Sequence, residues 1–286
     1  MVAKIIDGRS IAAEVRRQVA EEAKLLWEKH GVRPGLAAIL IGNDPASEVY
    51  VGLKQKACEE AAFTFRRITL PENVSEEEVI ERVHKLNVDE RIHGVIVQLP
   101  LPRHLNENRI IEALLPEKDA DGLHPANMGR LLLGDESVTP CTPTGIITLL
   151  EREGVTLRGK HVVIVNRSKI VGRPLMVMML NRDATVTVCH SKTVNLAEQT
   201  KAADILVVAV GRPMFITEDM VREGAIVIDV GINRVEGRIV GDVDFERVKE
   251  KAAAITPVPG GVGPMTVALL LMNVLKAAKR SVEKIR

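Results

Sequence analysis

Apolar and polar residues alternate along this chain in two distinct patterns. Short runs of aliphatic and β-branched residues predict buried strands at 35–41, 64–70, 94–99, 161–165, 184–189, 205–210 and 225–230. Elsewhere, apolar residues recur at helical spacing and predict helices at 10–29, 46–61, 75–86 and 264–284. Strands that alternate with helices of this length are typical of parallel βαβ units. The pattern therefore predicts the α/β fold class.

One stretch in the middle of the chain interrupts this pattern. Residues 116–143 are rich in Asp, Gly and Pro and lack a clear period, which indicates a domain boundary. We expect two domains, the first formed by residues 1–140 and the second by residues 141–263. The second is expected to be a Rossmann-like parallel sheet. The C-terminal helix, residues 264–286, is expected to pack back on the first domain.

Composition argues against several classes of function. The chain of 286 residues has a net charge of +1 and 2% aromatic residues, so it lacks the basic field and the stacking side chains that favour nucleic-acid binding. Its longest strongly apolar run, 265–275, is shorter than the ~20 residues that span a bilayer. Three scattered cysteines and seven histidines show no metal-ligand spacing. We expect a cytoplasmic protein that binds no nucleic acid, membrane or metal.

A proline- and glycine-rich segment precedes the last predicted helix. Residues 257–264 read PVPGGVGP, a composition that disfavours a regular helix and a ladder strand. Because glycine has no Cβ, a ligand can approach the backbone of such a segment closely. The segment is therefore either a ligand-contacting turn or a structural turn with Pro264 near a helix start.

The loop after strand 161–165 predicts a dinucleotide site. It reads NRSKIVGRP, residues 166–174, with Gly172 at a helix entrance where backbone N–H groups can hold a phosphate. NAD sites usually place an Asp or Glu after the second strand, whereas this chain has His190, Ser191 and Lys192 there. Together with Arg167, these residues favour the 2′-phosphate of NADP. The alternative is that they are ordinary surface residues.

Four polar residues in the first half are candidates for chemistry. Tyr50 and Lys54 are spaced i, i+4 and share one helix face. Gln98 lies near the end of an apolar strand, where a buried amide needs a hydrogen-bond partner, either a Lys from a neighbouring element or the backbone. Asp121 precedes Gly122 in the irregular segment and is either a ligand contact or a turn cap.

These segments resemble one family closely, the bifunctional methylenetetrahydrofolate dehydrogenase/methenyltetrahydrofolate cyclohydrolases. The resemblance covers nearly the full chain. It rests on the following segments: PGGVGPMTV at 259–267, VIVQLPL at 95–101, YVGLKQKA at 50–57, PEKDADG at 116–122 and PCTPTG at 140–145.

The resemblance implies two α/β domains that flank a cleft, with folate on the first and NADP on the second, and it implies a homodimer. It implies that Lys54 is the catalytic residue of the cyclohydrolase, that Gln98 bonds Lys54, that Tyr50 packs on the folate and that Asp121 anchors the pterin. The remaining implied contacts are to folate from Pro259, Gly260 and Gly261, and to NADP from Arg167, Ser168, Ser191 and the backbone of Ile232.

The chain departs from the family at one position of the dinucleotide loop. Asn166 stands where the family commonly has Gly, and Asn tolerates a positive φ better than most residues. Asn166 and Gly172 are included among the predicted cofactor contacts. The departure leaves the preference between NADP and NAD open.

The implied activity has two steps in one-carbon metabolism. The enzyme would oxidise 5,10-methylenetetrahydrofolate to 5,10-methenyltetrahydrofolate with NADP and hydrolyse the product to 10-formyltetrahydrofolate. Hydride transfer mainly requires alignment of donor and acceptor, whereas hydrolysis requires proton transfer, for which Lys54 is the candidate. The alternatives are a dehydrogenase without the hydrolase and an NADP-binding regulator without turnover.

Overall fold

The computed structural model describes residues 2–283, which form eleven strands and ten α-helices. The strands are β1 (Lys4–Ile5), β2 (Gly35–Ile41), β3 (Thr64–Leu70), β4 (Gly94–Val97), β5 (His161–Val165), β6 (Thr185–Cys189), β7 (Ile205–Val208), β8 (Ile226–Asp229), β9 (Asn233–Val235), β10 (Arg238–Val240) and β11 (Ala254–Ile255). The helices are α1 (Gly8–His30), α2 (Pro45–Glu60), α3 (Glu76–Val88), α4 (Glu107–Glu112), α5 (Pro125–Leu132), α6 (Cys141–Arg152), α7 (Gly172–Leu180), α8 (Leu196–Lys201), α9 (Phe245–Val248) and α10 (Val262–Glu283). The C-terminal residues of the predicted last helix, 284–286, lie outside the described residues.

The chain divides into two compact units. The first, here called the six-stranded unit, comprises residues 2–12 and 140–266 of the described chain. The second, the three-stranded unit, comprises residues 13–139 and 267–283. The predicted domain limits at 140 and 263 stay a prediction, and the first twelve residues group with the later part of the chain because β1 pairs with β11.

The six-stranded unit is built on a parallel sheet of order β1-β11-β8-β7-β5-β6. The strands β5 and β7 are almost continuous runs of Val, Ile and Leu that are buried on both faces, as parallel sheets require. The chain runs from β5 to β6 on one side and then returns to β7 on the other. This reversal creates a switch point beside β5, where open α/β sheets bind their ligands.

The three-stranded unit has a parallel sheet of order β3-β2-β4. Its central strand, GLAAILI, is buried along its whole length. Helix α10 packs closely on β4, because a Cβ on Gly94 would lie 2.7 Å from Val274 Cγ2. Asn273 of the same helix donates hydrogen bonds to the backbone oxygens of Ala120 and Thr139, at 3.0 and 2.9 Å.

Two expectations from the sequence differ from the structure. Residues 116–143 contain α5 and the start of α6, and each helix has a proline in its first turn, where no helical N–H is lost. The glycine- and proline-rich segment also extends into a helix. Helix α10 begins at Val262, so Pro264 lies in its first turn.

Helix α10 is long and apolar enough to cross a membrane by length and composition alone. Its apolar side chains, among them Leu271, Val274 and Leu275, are buried in the protein. Core helices of folded domains pass the same test, so the feature is weak evidence for a membrane span.

Candidate active site

Helix α2 carries Lys54 to the carboxyl end of β4. Its first turn is fixed by Asp44, which accepts a hydrogen bond from the Ser47 N–H at 2.8 Å. The Lys54 side chain is 8% exposed, and its Nζ donates to Gln98 Oε1 at 3.0 Å. Gln98 Nε2 donates to the Leu99 carbonyl oxygen at 2.8 Å, so both ends of the amide are held. The lysine amine is therefore fixed at the edge of the sheet.

Tyr50 lies one turn before Lys54 on the same helix. It is 42% exposed, and its ring is available for contact with a flat ligand. The i, i+4 spacing places the two side chains on one face of α2, as the sequence predicts. Tyr50 and Lys54 thus present an aromatic ring and an amine side by side.

The loop that contains Asp121 is organised by the buried carboxylate of Asp119. This carboxylate accepts hydrogen bonds from Gly122 N at 3.0 Å, His124 N at 2.7 Å and Asn127 Nδ2 at 2.9 Å. Burial raises the pKa of Asp119, while these donors oppose the rise. Asp119 therefore caps this turn, which was one of the two roles predicted for Asp121.

Asp121 lies in the turn that follows the contact of this loop with β4. Asp119 forms an isolated parallel bridge with Val95, and Gly122 N donates back to the Asp119 carboxylate, so the chain turns at residues 120–122. Among residues 2–283, no hydrogen bond or ion pair engages the half-buried Asp121 carboxylate. The three-stranded unit thus has an amine bonded to an amide at one edge of its sheet and an unengaged carboxylate in the loop bridged to β4, and the predicted role of Asp121 stays a prediction.

In the six-stranded unit, Asn166 organises the loop after β5. Its Oδ1 accepts from Ser168 N at 2.8 Å, Ser168 Oγ at 2.8 Å and Gly172 N at 2.9 Å, and its Nδ2 donates to the Ala209 carbonyl after β7. The side chain therefore ties together the two loops at the switch point. Asn166 does not have a positive φ, so the tolerance argued from sequence is not what accommodates it.

Gly172 is required by this loop. A Cβ at this position would lie 2.2 Å from the Asn166 carbonyl oxygen and 2.7 Å from its Oδ1. The close approach brings the start of α7 against the end of β5, the arrangement of a phosphate-binding turn.

Arg167 and Ser191 follow neighbouring parallel strands at equal distance. Val165 pairs with Cys189 at the ends of β5 and β6. Arg167 lies two residues after Val165, and Ser191 lies two residues after Cys189. Both are exposed, and no hydrogen bond or ion pair occupies the Arg167 guanidinium within the described chain. A cation and a hydroxyl therefore flank the carboxyl edge of the sheet near the switch point.

The same unit contains a buried pair of carboxylates, Asp229 and Asp242, that was not predicted from the sequence. Asp242 accepts hydrogen bonds from the backbone N–H groups of Val210, Gly211 and Arg212 at 2.5, 3.0 and 2.8 Å, and from Asn233 Nδ2 at 2.9 Å. Asp229 accepts from the backbone of residues 231, 242 and 243.

This pair fixes the loops that follow β7 and β8. Burial, with a smaller contribution from the Asp242 charge, raises the pKa of Asp229 to about 7, although its three N–H donors oppose the rise. A Cβ on Gly231 would lie 2.1 Å from the Asp242 carboxyl carbon, and one on Gly241 would lie 1.8 Å from an Asp229 oxygen. The sequence signal that could have indicated this pair is a glycine close to each aspartate: Gly231 lies two residues after Asp229, and Gly241 directly precedes Asp242. Ile232, predicted to contact the cofactor, lies between them and is half-exposed.

The glycine-rich turn is held by the N-terminal segment of its own unit. Arg9 N donates to the Gly260 carbonyl oxygen at 3.0 Å, and a Cβ on Gly8 would lie 1.9 Å from the Gly261 oxygen. Gly260 has a φ of 119°, which favours glycine. Gly260 and Gly261 are buried and Pro259 is exposed. Packing within the protein accounts for the two glycines, and their predicted folate contact stays a prediction.

No group of three or more His, Cys, Asp or Glu side chains suited to a metal ion occurs within residues 2–283.

Comparisons with known proteins agree with this arrangement. Residues 6–121 match the family model for the catalytic domain of tetrahydrofolate dehydrogenase/cyclohydrolase, and residues 140–282 match that for its NAD(P)-binding domain. The bifunctional protein FolD of Bacillus pumilus is 55% identical over 282 residues, which cover 98% of this chain and 99% of the relative.

Solved structures give the same result. The bifunctional FolD methylenetetrahydrofolate dehydrogenase/cyclohydrolase of Campylobacter jejuni matches with a TM-score of 0.96 at 48% identity, over 98% of this chain and 99% of that one. The Trypanosoma brucei FolD enzyme, solved with NADP cofactor and an inhibitor, matches with a TM-score of 0.95 at 42% identity over 99% of both chains.

These matches confirm the predicted α/β fold with a parallel, Rossmann-like sheet, and they confirm that the chain is an enzyme. The resemblance carried by five short segments extends over both units. The chain belongs to the tetrahydrofolate dehydrogenase/cyclohydrolase family.

Proposed function

We propose that this chain oxidises 5,10-methylenetetrahydrofolate to 5,10-methenyltetrahydrofolate with NADP and hydrolyses that product to 10-formyltetrahydrofolate. The observation that carries the proposal is the Lys54–Gln98 hydrogen bond of 3.0 Å at the carboxyl end of β4. A dehydrogenase alone needs no buried amine there, because NADP itself supplies the hydride acceptor.

In the oxidation, the side chains of the three-stranded unit bind and orient the folate. Tyr50 contacts the face of the ring system, and the Asp121 carboxylate, which has no partner among the described residues, accepts hydrogen bonds from the pterin N–H groups. The methenyl product is a cation stabilised by its two flanking nitrogens. Alignment is therefore the main requirement for this step.

In the hydrolysis, Lys54 moves the protons. Water adds to the cationic carbon and loses one proton, which leaves a neutral carbinol. As the bond from that carbon to one ring nitrogen breaks, the hydroxyl loses its proton to form the formyl carbonyl and the nitrogen gains one, so one proton is released overall. Lys54 Nζ transfers these protons, and Gln98 keeps the amine in place through its Oε1. Gln98 is thus a positioning residue and Lys54 the catalytic residue.

The dinucleotide loop has side chains that fit NADP. Arg167 and Ser191 flank the edge of the sheet where an NAD enzyme usually has a carboxylate, and Asn166, Ser168 and Gly172 shape the phosphate turn. Among these residues, the exposed Arg167 supplies the positive charge for the 2′-phosphate.

Replacing Arg167 should therefore change the cofactor preference. In Arg167→Ala, we expect the KM for NADP to rise about tenfold or more, because a charge-assisted contact to phosphate is lost. The KM for NAD, which has no 2′-phosphate, should change little. Initial-rate measurements with both dinucleotides test this, with Arg158→Ala as the control because Arg158 is an exposed partner of Asp183 in the same unit. Equal changes for the two dinucleotides would contradict the assignment.

Replacing Asp121 should weaken folate binding in both activities. In Asp121→Asn, we expect the KM for methylenetetrahydrofolate and for methenyltetrahydrofolate to rise about tenfold or more, since the amide is uncharged and one of the two acceptor oxygens is replaced by an NH2 donor that faces a pterin N–H. The exposed Asp135 offers a matched control, Asp135→Asn, in the same unit. Unchanged KM values in Asp121→Asn would refute the anchoring role.

A coupled absorbance assay tests the proposed function as a whole. Purified protein is mixed with methylenetetrahydrofolate and either NADP or NAD, and absorbance follows both the reduced dinucleotide and the methenyl intermediate. We expect NADPH to form and the methenyl signal to decay faster than without enzyme. Dinucleotide binding without NADPH formation would refute the dehydrogenase, and decay at the uncatalysed rate would refute the hydrolase.

We extend the proposal to a cytoplasmic homodimer, on the strength of the family resemblance. One chain has a mass of 31.3 kDa, and sedimentation equilibrium should give twice that mass. A concentration-independent monomer would contradict this part of the proposal and leave the catalytic part standing.

A further inference from the structure

A second cavity, here called the Trp27 pocket, lies at the amino-terminal edge of the three-stranded sheet. Residues at or just before the starts of all three strands line it, among them Arg33, Thr64 and His93. Its volume is ≈ 930 Å³, within the range of small-molecule sites. Lys54 and Gln98 lie at the opposite, carboxyl edge, so the pocket is separate from the proposed catalytic residues.

The lining of the pocket carries more positive than negative charge. Five of its lining side chains are cationic and two, Glu90 and Glu117, are anionic. Arg91 is paired with Asp89, and the carboxylates of Asp135 and Glu283 also act on Arg280. Within residues 2–283, neither Arg130 nor Arg280 forms an ion pair; Arg280 Nη1 donates to the Ser137 carbonyl oxygen at 3.3 Å. Burial lowers the pKa of the half-buried Arg280. An anion in the pocket would compensate for this desolvated charge.

A buried histidine adds an unused donor. His93 is 6% exposed, and its Nδ1 accepts a hydrogen bond from the Gly35 N–H at 3.0 Å. The proton of the neutral ring therefore resides on Nε2, and no residue of the described chain accepts a hydrogen bond from it. Burial, together with the nearby charge of Lys118, lowers the pKa of His93 to about 4, which keeps the ring neutral near pH 7.

An aromatic wall completes the pocket. Trp27 is 46% exposed, and the Arg33 guanidinium lies 4.6 Å from the centre of its ring. The guanidinium lies over the ring, and the part of the indole that stays exposed suits contact with a planar ring. A ligand that satisfies the whole pocket has both a flat apolar body and an anionic group.

We propose that the Trp27 pocket is a second ligand site that binds a planar aromatic anion. The ring of the ligand packs on Trp27, and its carboxylate, sulfonate or phosphate group is held by Arg130, Arg280 and the His93 Nε2–H.

The pocket shares two elements with the Asp121 loop. Lys118, three residues before Asp121, lines the pocket and donates to the carbonyl oxygens of Leu86 and Asp89 at 3.0 and 2.8 Å. Helix α10 carries Arg280 and also Asn273, which bonds the carbonyl oxygen of Ala120. A bound ligand would therefore contact the elements that hold Asp121.

The single tryptophan of the chain provides a direct test. The full-length protein, with its dinucleotide site saturated by NADP, is titrated with 8-anilinonaphthalene-1-sulfonate while Trp27 emission is recorded. We expect saturable quenching with sensitised emission from the probe. The uncharged analogue N-phenyl-1-naphthylamine should bind about tenfold more weakly or worse.

Variants locate the anion-binding group. The double variant Arg130→Ala/Arg280→Ala should weaken probe binding about tenfold or more, whereas Arg222→Ala, an exposed arginine of the other unit, should not. The single variant Arg130→Ala, at an exposed position, gives the same reading if the double variant does not fold. Absence of quenching in the NADP-saturated protein, equal binding of the neutral analogue or unchanged affinity in both arginine variants would each overturn the proposal.

Discussion

Replacing Lys54 by methionine should slow the hydrolysis of methenyltetrahydrofolate by about 100-fold or more, the usual contribution of a positioned proton-transfer group. Methionine is apolar and similar in length, so it fills the space between α2 and Gln98 without an amine. Gln98 Oε1 loses its donor at 3.0 Å. Hydride transfer needs alignment rather than a proton, so the dehydrogenase rate should fall by less than about tenfold.

Both rates are measured on one sample, by the decay of methenyl absorbance and by NADPH formation. Lys56→Met is the matched control, because Lys56 lies on the same helix, is largely exposed and pairs only at 4.0 Å with Glu60. It should leave both rates unchanged. Wild-type hydrolysis by Lys54→Met would remove Lys54 from the mechanism, and an equal loss in both activities would indicate a role in folate binding instead.

Local patterns predicted the parts of the site that depend on one element or on adjacent strands. The strands 35–41 and 64–70 are found at their predicted limits, because continuous aliphatic and β-branched runs bounded by turn residues are specific. The spacing of Tyr50 and Lys54 gave their common face. A buried amide needs a partner, and the Lys54–Gln98 hydrogen bond supplies it.

Other features depend on contacts between segments distant in sequence. From the sequence, Asn166 was explained by its tolerance of a positive φ. In the structure, its side chain joins two loops 43 residues apart. Asp229 lies near the end of the predicted strand 225–230 and Asp242 lies beyond it. The neighbouring glycines are a local signal, but only the fold shows that the two carboxylates are buried together. The hairpin of β9 and β10 was likewise missed, because its three-residue strands are too short to show a period.

The buried carboxylate of Asp242 is expected to be the largest single contributor to the stability of the dinucleotide loops. Its oxygens accept hydrogen bonds from three successive backbone N–H groups after β7 and from Asn233. In Asp242→Ala, these buried donors lose their acceptor, and each unsatisfied donor costs about 1–3 kcal/mol. Relief of the repulsion with Asp229, and water that enters the cavity, return part of this loss.

We therefore expect Asp242→Ala to lose about 3 kcal/mol of unfolding free energy, a fall in Tm of roughly 5 °C for a chain of this size. The loop after β7 borders the switch point, so the rise in Tm on adding NADP should shrink as well. Thermal unfolding with and without NADP measures both effects. Asp219→Ala is the control, because Asp219 is an exposed carboxylate of the same unit. If Tm and its rise on adding NADP were both unchanged in the variant, other contacts would hold these loops. If Tm fell but still rose fully on adding NADP, Asp242 would stabilise the unit without shaping its cofactor site.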